Sequence, residues 1–310
     1  MKSIAFICIY ILVALSAIVC IAALIMFKLC MGRARSREVV ALKDDIYNQY
    51  SGQMRSGAEW FLAQSPQEIV IKSYDGLDLF ARMLPHRNAR GTFILMHGYH
   101  GSGLRDFGCA LHFFHEQNYN ILLPDQRAHG KSEGKYITFG VKERYDCLSW
   151  IKFINEKFGQ NLPIYLDGLS MGCTTVLMAT GLNLPSNVHA IVADCGFTSP
   201  LDIIRSVMKN GMHIPSFPLL YTTKFLAKHM AGYQLDEYST IDALQENKIP
   251  VFFAHGAQDS FVPLSMTLEN YSACAGKKHL LIVDNAGHGL SFLKDELRYK
   301  RELLDFLADK

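Results

Sequence analysis

Short apolar runs recur along most of the chain, and longer stretches of mixed polarity separate them. Runs of three or four apolar residues are too short for buried helices and predict strands at residues 93–96, 121–123, 164–166, 190–193, 251–254 and 280–283. Helical patterns lie between most of them, near residues 104–117, 141–158, 171–181 and 290–308. Continuous apolar strands that alternate with helices predict an α/β fold, with a mainly parallel, twisted sheet and helices on both faces.

A different pattern precedes these strands. Residues 68–72 and 77–83 are rich in strand-forming residues, and Tyr74-Asp75-Gly76 lies between them. An Asp-Gly pair between two such runs is a strong signal for a β-hairpin. The sequence therefore predicts an antiparallel hairpin that leads into the sheet. Ligand sites of open parallel sheets lie at the carboxyl ends of the strands, so the residues after each run are the candidates for function.

The N-terminus carries one long apolar stretch. Residues 4–27 contain no charge, and as a helix of 24 residues they would extend about 36 Å, enough to cross a hydrocarbon core of ~30 Å. We interpret this stretch as a transmembrane segment. A cleavable signal peptide is the alternative, but the stretch is longer than the usual apolar region of a signal, and no clear cleavage site follows it. Residues 1–32 are then an anchor with its basic flank.

Residues 33–65 are rich in charge, and their apolar positions predict a juxtamembrane helical spacer: Val39, Val40, Leu42 and Ile46. Residues 66–310 form the predicted α/β domain. The basic residues after the apolar stretch outnumber Lys2 before it, which favours a single-pass protein with this domain on the cytoplasmic side. The odd number of cysteines after the anchor, without disulfide-like spacing, agrees with a reducing compartment.

Composition excludes several classes of partner. A formal net charge of +2, with no basic stripe interleaved with aromatic residues outside the N-terminal flank, gives no support for nucleic-acid binding. The histidines show neither close ligand spacing nor cysteine partners, so no metal is predicted. No cofactor is predicted either.

The pentapeptide from Gly168 to Gly172 has the pattern G-x-S-x-G, with Ser170 at its centre, and it directly follows a predicted strand. That order is typical of a nucleophile elbow, in which a strained serine sits between a strand and a helix. Only residues without bulky side chains fit two positions on either side of it. The pattern alone is weak, because chance matches are common.

The loop after residues 93–96 reads His97-Gly98-Tyr99-His100-Gly101-Ser102-Gly103. Its glycines allow the backbone to approach a ligand closely, at the place where an oxyanion hole is completed. We expect the amides of Tyr99 and Met171 to be the two donors. The alternative is a glycine-rich turn that only connects a strand to a helix.

The loop after residues 121–123 contains Asp125, Arg127 and His129. We expect Asp125 and Arg127 to be structural, satisfying backbone groups and each other. His129 has the position of a hydrogen-bonded scaffold residue.

A serine nucleophile needs a base, and the base needs an orienting acid. Asp259 follows the strand at residues 251–254, and His288 follows the strand at residues 280–283, so the chain order is serine, acid, histidine. Asp194 and Asp284 are competing acids. Asp259 is favoured because it alone lies in a loop after the penultimate strand. His255 has a position suited to bracing that loop.

These motifs together resemble the α/β-hydrolase superfamily, over residues from about 66 to 310. The matching segments are His97-Gly98, Asp125-x-Arg127-x-x-Gly130-x-Ser132, Gly168-x-Ser170-x-Gly172, Gly256-x-x-Asp259-x-x-Val262-Pro263 and Gly287-His288. Within the superfamily the chain resembles membrane-anchored bacterial serine hydrolases close to esterases and monoacylglycerol lipases. The resemblance implies Ser170 as nucleophile, His288 as general base, Asp259 as its partner, and Tyr99 and Met171 as oxyanion donors. Ala128 and Asp167 depart from the residues common in the family at their positions.

Serine at the elbow argues against dehalogenases and epoxide hydrolases of this fold, because those relatives use aspartate there. The family leads us to expect a small helical cap at about residues 197–247, and the apolar content of this segment suits an acyl or aromatic ester as substrate. Ordinary core packing explains that content equally well. We predict a carboxylic ester hydrolase that works through an acyl-serine intermediate. The alternatives are a serine peptidase or acyl-protein thioesterase, and a non-catalytic receptor of the same fold.

Overall fold

The computed structural model of the chain describes residues 2–34 and 49–309. The strands are β1 (Gln67–Lys72), β2 (Asp78–Leu84), β3 (Gly91–Met96), β4 (Tyr119–Pro124), β5 (Ile164–Leu169), β6 (Val188–Asp194), β7 (Val251–Gly256) and β8 (Lys278–Val283). The helices are α1 (Lys2–Met31), α2 (Ser51–Ala63), α3 (Gly103–Glu116), α4 (Glu143–Phe158), α5 (Met171–Ala179), α6 (Pro200–Ser206), α7 (Leu219–Leu226), α8 (Thr240–Leu244), α9 (Leu264–Ala273), α10 (Ser291–Lys294) and α11 (Glu296–Ala308). Single π-helical turns extend α6 (Val207–Gly211) and α7 (Ala227–Ala231).

All eight strands join one sheet in the order β1-β2-β4-β3-β5-β6-β7-β8. β2 pairs with β1 and β4 in antiparallel fashion, and every pairing from β4 to β8 is parallel. Each of the six predicted apolar runs lies in one of the strands β3 to β8. The predicted mainly parallel sheet and its N-terminal hairpin are therefore confirmed.

The strand order reverses at the centre of the sheet and positions the candidate site. β3 lies between β4 and β5, with Met96 opposite Gly168 at the carboxyl ends. The loops that follow β3 and β5 consequently start side by side, which is the place where open α/β sheets bind ligands.

Helices cover both faces of the sheet, as predicted. One core packs α2, α3 and α11 on the sheet and includes Phe61, Leu111 and Leu303. The core on the other face packs α4 and α5 and includes Trp150 and Val176. Because both faces are covered, strands such as β3 are buried along their whole length, which explains their continuous apolar sequence.

A third apolar cluster joins the end of α1 to the segment between β6 and β7. It includes Met26, Phe27 and Met31 from α1, with Met208 and Leu220 from that segment. α1 is long and apolar enough to span a membrane over Phe6–Met31, and a signal sequence can have the same length and composition. In the predicted spacer, residues 35–48 lie outside the described residues, including Val39, Val40, Leu42 and Ile46. α2 occupies the remainder of that segment.

Candidate active site

Ser170 lies at the junction of β5 and α5 in a strained backbone conformation, with φ 56° and ψ −114°. Its N–H donates to Asp194 O at 2.9 Å, which ties the turn to β6. A Cβ atom at Gly172 would lie 1.8 Å from Met96 O, and one at Gly168 would lie 2.3 Å from Gly172 O. Both glycines are therefore required by close packing around the serine.

Three side chains from separate loops form a hydrogen-bonded chain at this point. His288 Nε2 lies 2.9 Å from Ser170 Oγ, and His288 Nδ1 lies 2.7 Å from Asp259 Oδ2. An ionised Asp259 only accepts, so Nδ1 carries the proton and Nε2 is the acceptor that faces the serine hydroxyl. In this tautomer the imidazole can take the proton of Ser170.

Asp259 is fixed on both of its oxygens. Oδ1 accepts the N–H groups of Phe261 at 2.9 Å and Val262 at 2.8 Å, which leaves Oδ2 for His288. Burial alone would raise the pKa of Asp259, but hydrogen bonds from His255 and His288 hold it well below its usual range. Asp259 is therefore a carboxylate at neutral pH.

His255 is fully buried and supports the same turn. Its Nδ1 lies 2.7 Å from Thr267 Oγ1, and its Nε2 lies 3.0 Å from Val262 O and 3.3 Å from Asp259 Oδ2. These contacts agree with the bracing position expected from the sequence.

The two competing acids have other surroundings. Asp194 Oδ1 accepts a hydrogen bond from Ser291 Oγ at 2.8 Å, and burial raises the pKa of Asp194. Asp284 is exposed. Asp167, which departs from the family pattern, is buried behind the elbow, and burial raises its pKa well above the usual range. Asp259 is the acid at hydrogen-bond distance from His288 Nδ1.

The loop after β3 packs against Ser170, since a Cβ atom at Gly98 would lie 3.4 Å from Ser170 Cβ. The Gly98 N–H is occupied by Asp106 Oδ2 at 2.7 Å. Among the described residues, neither the Tyr99 amide nor the Met171 amide donates a hydrogen bond. An oxyanion hole needs N–H donors close to the nucleophile that are not already used, so both amides stay candidates for that role.

Sequence reasoning missed Asp106. Its other oxygen pairs with Arg105 Nε at 2.6 Å, and both residues lie in the first turn of α3, which Ser102 caps. An acidic residue in the first turn of a helix, directly after a glycine-rich loop, is the signal that points to this role, because its carboxylate can reach back to a loop amide.

Two buried histidines hold the loop after β3 through hydrogen bonds. His97 Nδ1 donates to Gly98 O at 2.8 Å, while its Nε2 accepts from Gln126 N at 3.0 Å. His129 Nε2 accepts from His100 N at 3.1 Å. Burial lowers the pKa of His129 well below its usual range, so it stays neutral and can accept. His129 is thus a scaffold residue, as expected.

The expectation that Asp125 and Arg127 satisfy each other is wrong. Arg127 forms a bidentate pair with Asp146 of α4, at 2.6 Å from both Nε and Nη2, and also reaches Asp75 at 3.0 Å. Asp125 instead accepts from Lys131 N at 2.9 Å. The guanidinium connects the loop to α4 and to the hairpin turn, contacts between distant residues that local sequence does not encode.

A cavity of about 130 Å³ opens beside Ser170. Its lining is almost entirely apolar: Met26, Cys30, Tyr99, Phe139, Phe197, Ile203, Ile204, Val207, Met208, Met212 and Phe261. A cavity of ~150 Å³ binds benzene, so this one accommodates a ring or a short aliphatic segment. A wider depression of about 710 Å³, lined by Gln245 and Lys248 among others, is more polar and contains none of the residues around Ser170.

Within the described residues, one group of side chains is spaced closely enough for a metal ion, with ligand atoms of Cys195, Asp259 and His288 within 4.8 Å of one another. Burial raises the pKa of the Cys195 thiol well above its usual range, which disfavours the thiolate that a metal requires. Asp259 and His288 already use their polar atoms in the hydrogen-bonded chain. The group fits proton transfer better than metal binding.

Comparison with known proteins agrees with this fold. Residues 91–231 match the protein family described as "alpha/beta hydrolase fold". The uncharacterized protein YqkD of Bacillus subtilis is 27% identical over 291 residues, which are 93% of this chain and 95% of that protein. The caffeoylshikimate esterase of Arabidopsis thaliana is 24% identical over 65% of this chain and 71% of its own length. Among solved structures, a Pyrococcus furiosus esterase superposes with a TM-score of 0.65 at 23% identity, over 80% of this chain and 92% of its own.

Proposed function

We propose that this chain is a serine hydrolase of the α/β-hydrolase superfamily that cleaves carboxylic esters of apolar acyl or aromatic type, as the family match over residues 91–231 and the esterase structures of the same fold support. Ser170 is the nucleophile, His288 the general base and Asp259 its orienting acid. The observation that carries this proposal is the hydrogen-bonded chain from Asp259 through His288 to Ser170. The esterases among the similar proteins support ester cleavage in general.

In the acylation step, Ser170 Oγ attacks the ester carbonyl carbon while His288 Nε2 takes the hydroxyl proton. The carbonyl oxygen becomes an oxyanion that the amides of Tyr99 and Met171 stabilise. Collapse of this intermediate breaks the bond to the alcohol oxygen, and His288 returns its proton to the departing alkoxide. The products are the free alcohol and acyl-Ser170.

In the deacylation step, water replaces the alcohol. His288 removes one proton from the water as its oxygen attacks the acyl carbon, and the same two amides hold the second oxyanion. When that intermediate collapses, the proton goes to Ser170 Oγ. The acid is released and the enzyme is restored with no cofactor consumed.

The lining of the cavity favours an apolar acyl or aromatic group over a charged substrate. We retain the prediction that the segment at about residues 197–247 acts as a helical cap over the site. An acyl-protein thioesterase or a serine peptidase with the same triad is the second candidate, because the three reactions share acyl-serine chemistry. Turnover of a panel of p-nitrophenyl esters, acyl thioesters and aminoacyl amides distinguishes them.

We also propose that α1 anchors the protein as a single-pass span, with residues 66–310 on the cytoplasmic side. The length and apolar surface of α1 support a span. The basic residues after the apolar stretch support the side. A topology reporter fused to the C-terminus tests this assignment, and a periplasmic or extracellular signal would overturn it.

The decisive test of the reaction is labelling with a fluorophosphonate probe, combined with ester turnover. We expect rapid labelling and turnover for the wild type and neither for Ser170→Ala. Ser56→Ala, at an exposed serine of α2, is the matched control and should behave as the wild type. Equal labelling of the wild type and Ser170→Ala would remove Ser170 as the nucleophile.

A further inference from the structure

The last turns of α1 border the cavity beside Ser170. Met26 and Cys30, one helical turn apart, are among its lining residues. Within the same turns, Ile25 and Leu29 lie on the outer side of the helix and are 54% and 68% exposed. The end of α1 thus presents one face to the cavity and another to the surroundings.

This end of the helix is held rigidly. Tyr99 Oη donates to Cys30 O at 2.9 Å, and the Ile137 N–H donates to Met31 O at 2.8 Å. Immediately after the helix, Ala34 N donates to Ala128 O at 2.9 Å. The Arg33 guanidinium binds the carbonyl oxygens of Gly130, Ser132 and Gly134 at 2.6–3.2 Å. A flexible tether would need none of these bonds.

Tyr99 connects the helix to the chemistry. Its side chain binds the carbonyl groups at the end of α1, and its backbone amide is a candidate oxyanion donor. Burial raises the pKa of Tyr99, so its hydroxyl stays protonated and donates at every pH of interest. The position of α1 is therefore coupled to the geometry around Ser170.

The remainder of α1 is compatible with lipid. Apolar residues between Ile4 and Ile21 are mostly exposed, and these 18 positions extend about 27 Å as a helix, close to the ~30 Å of a hydrocarbon core. The turns with Met26 and Cys30 follow directly. When residues 4–21 cross the membrane, the cavity wall lies at the membrane boundary.

The neighbouring surface is apolar as well. α7 packs against α1 and exposes Tyr221 and Phe225, at 65% and 61%, on one face because they are four residues apart. Phe217, just before the helix, is 75% exposed, and its ring lies 5.9 Å from that of Tyr221. Met212, on the rim of the cavity, is 53% exposed. An apolar rim beside a membrane-spanning helix is suited to contact with lipid.

We propose that the end of α1 is a wall of the substrate site, with Met26 and Cys30 selecting the size of the acyl or aromatic group, and that the substrate is an ester dissolved in the bilayer. It reaches Ser170 through the cavity between α1 and α6 with its π-helical extension. This inference rests on the ester hydrolysis proposed above. The cavity holds only a ring or a short chain segment, so the rest of a longer acyl chain extends through the mouth towards the lipid.

The first test measures selectivity with the full chain in phosphatidylcholine nanodiscs. Met26→Ala enlarges the cavity and Cys30→Phe fills it, so the ratio of kcat/KM for p-nitrophenyl octanoate over acetate should rise about tenfold in the former and fall about tenfold in the latter. Ile25→Ala makes a comparable truncation and Cys20→Phe the same replacement at exposed positions of the helix, and both should leave the ratio unchanged. Equal ratios for all four variants and the wild type would overturn the proposal. If Cys30→Phe does not fold, Met26→Ala decides.

The second test determines whether the substrate reaches the enzyme from the bilayer or from water. p-Nitrophenyl palmitate is kept at constant bulk concentration while its mole fraction in the nanodisc is diluted with phosphatidylcholine. We expect the rate to fall with the mole fraction. A rate that depends only on the bulk concentration would show delivery from water and overturn the membrane source.

The proposed ester hydrolysis and the proposed role of α1 can be refuted separately. If the reaction itself is wrong, the wild type neither reacts with the fluorophosphonate probe nor cleaves the acetate ester. If only the role of α1 is wrong, the wild type does both, and the variants at Met26 and Cys30 match their controls.

Discussion

Replacing Asp259 with asparagine keeps the shape of the side chain but changes one of its two carboxylate oxygens into an NH₂ group. In the wild type, Oδ1 accepts the N–H groups of Phe261 and Val262, and Oδ2 accepts Nδ1–H of His288. If the asparagine NH₂ group faced the turn, two backbone donors would lose their acceptor, at about 1–3 kcal/mol each. The orientation that keeps oxygen on the turn is therefore favoured by about 2–6 kcal/mol.

In that favoured orientation the NH₂ group points at His288 and donates to Nδ1. The imidazole proton then moves to Nε2, which lies 2.9 Å from Ser170 Oγ and can no longer accept the serine proton. Catalysis is limited to the disfavoured orientation, so we expect kcat to fall by about 30-fold to 10⁴-fold, at 1.36 kcal/mol for each factor of ten.

The assay is steady-state hydrolysis of a soluble p-nitrophenyl ester, together with the rate of fluorophosphonate labelling at Ser170. Asp284→Asn, at an exposed carboxylate, is the control and should keep the wild-type kcat. A kcat of Asp259→Asn equal to that of the wild type would refute the reasoning and direct attention to Asp194 or Asp284 as the acid.

Three further predictions concern stability and pH. Gly172→Ala places a Cβ atom 1.8 Å from Met96 O, and we expect thermal unfolding to show a loss of at least about 3 kcal/mol. Arg127→Met leaves the carboxylate of Asp146 buried without its partner, and thermal unfolding should show a loss of about 3–5 kcal/mol. Because the pKa of Asp259 is lower in the folded state than its unfolded value of about 3.9, its charge stabilises the fold above that pH and stops doing so as the pH falls towards the folded pKa. The difference in melting temperature between the wild type and Asp259→Asn should therefore shrink from pH 7 to pH 3.

Each of these predictions has its own control. Gly52→Ala adds a Cβ atom with nothing within 4 Å and should not lower the melting temperature, so an equal loss at Gly52 and Gly172 would contradict the packing argument. Arg301→Met removes a guanidinium that is 67% exposed and should have little effect. A melting-temperature difference at position 259 that stays constant down to pH 3 would rule out the ionised carboxylate as its cause.

The strands and most helices were readable from the sequence because their signals are local. A continuous apolar run, an Asp-Gly turn or a helical period needs only neighbouring residues, and the sheet confirms those predictions. Local sequence also indicated which loops follow the carboxyl ends of the strands. Ser170, Asp259 and His288 were candidates for that reason, and the structure brings His288 within hydrogen-bond distance of both Ser170 and Asp259.

Contacts between distant residues were decided only by the tertiary structure. The choice among Asp194, Asp259 and Asp284 depends on which carboxylate faces His288 Nδ1; position along the chain favoured Asp259 but did not exclude the other two. Pairing of Arg127 with Asp146 rather than with a residue of its own loop is a contact of the same kind.

The N-terminal helix gives the sharpest contrast. Its sequence determines that it is long and apolar, and so able to span a membrane. Because nearly every position is apolar, the pattern marks no face, and nothing in it distinguishes Met26 from Ile25. Only the packing of the helix on the domain decides that Met26 lines the cavity beside Ser170 while Ile25 faces outward.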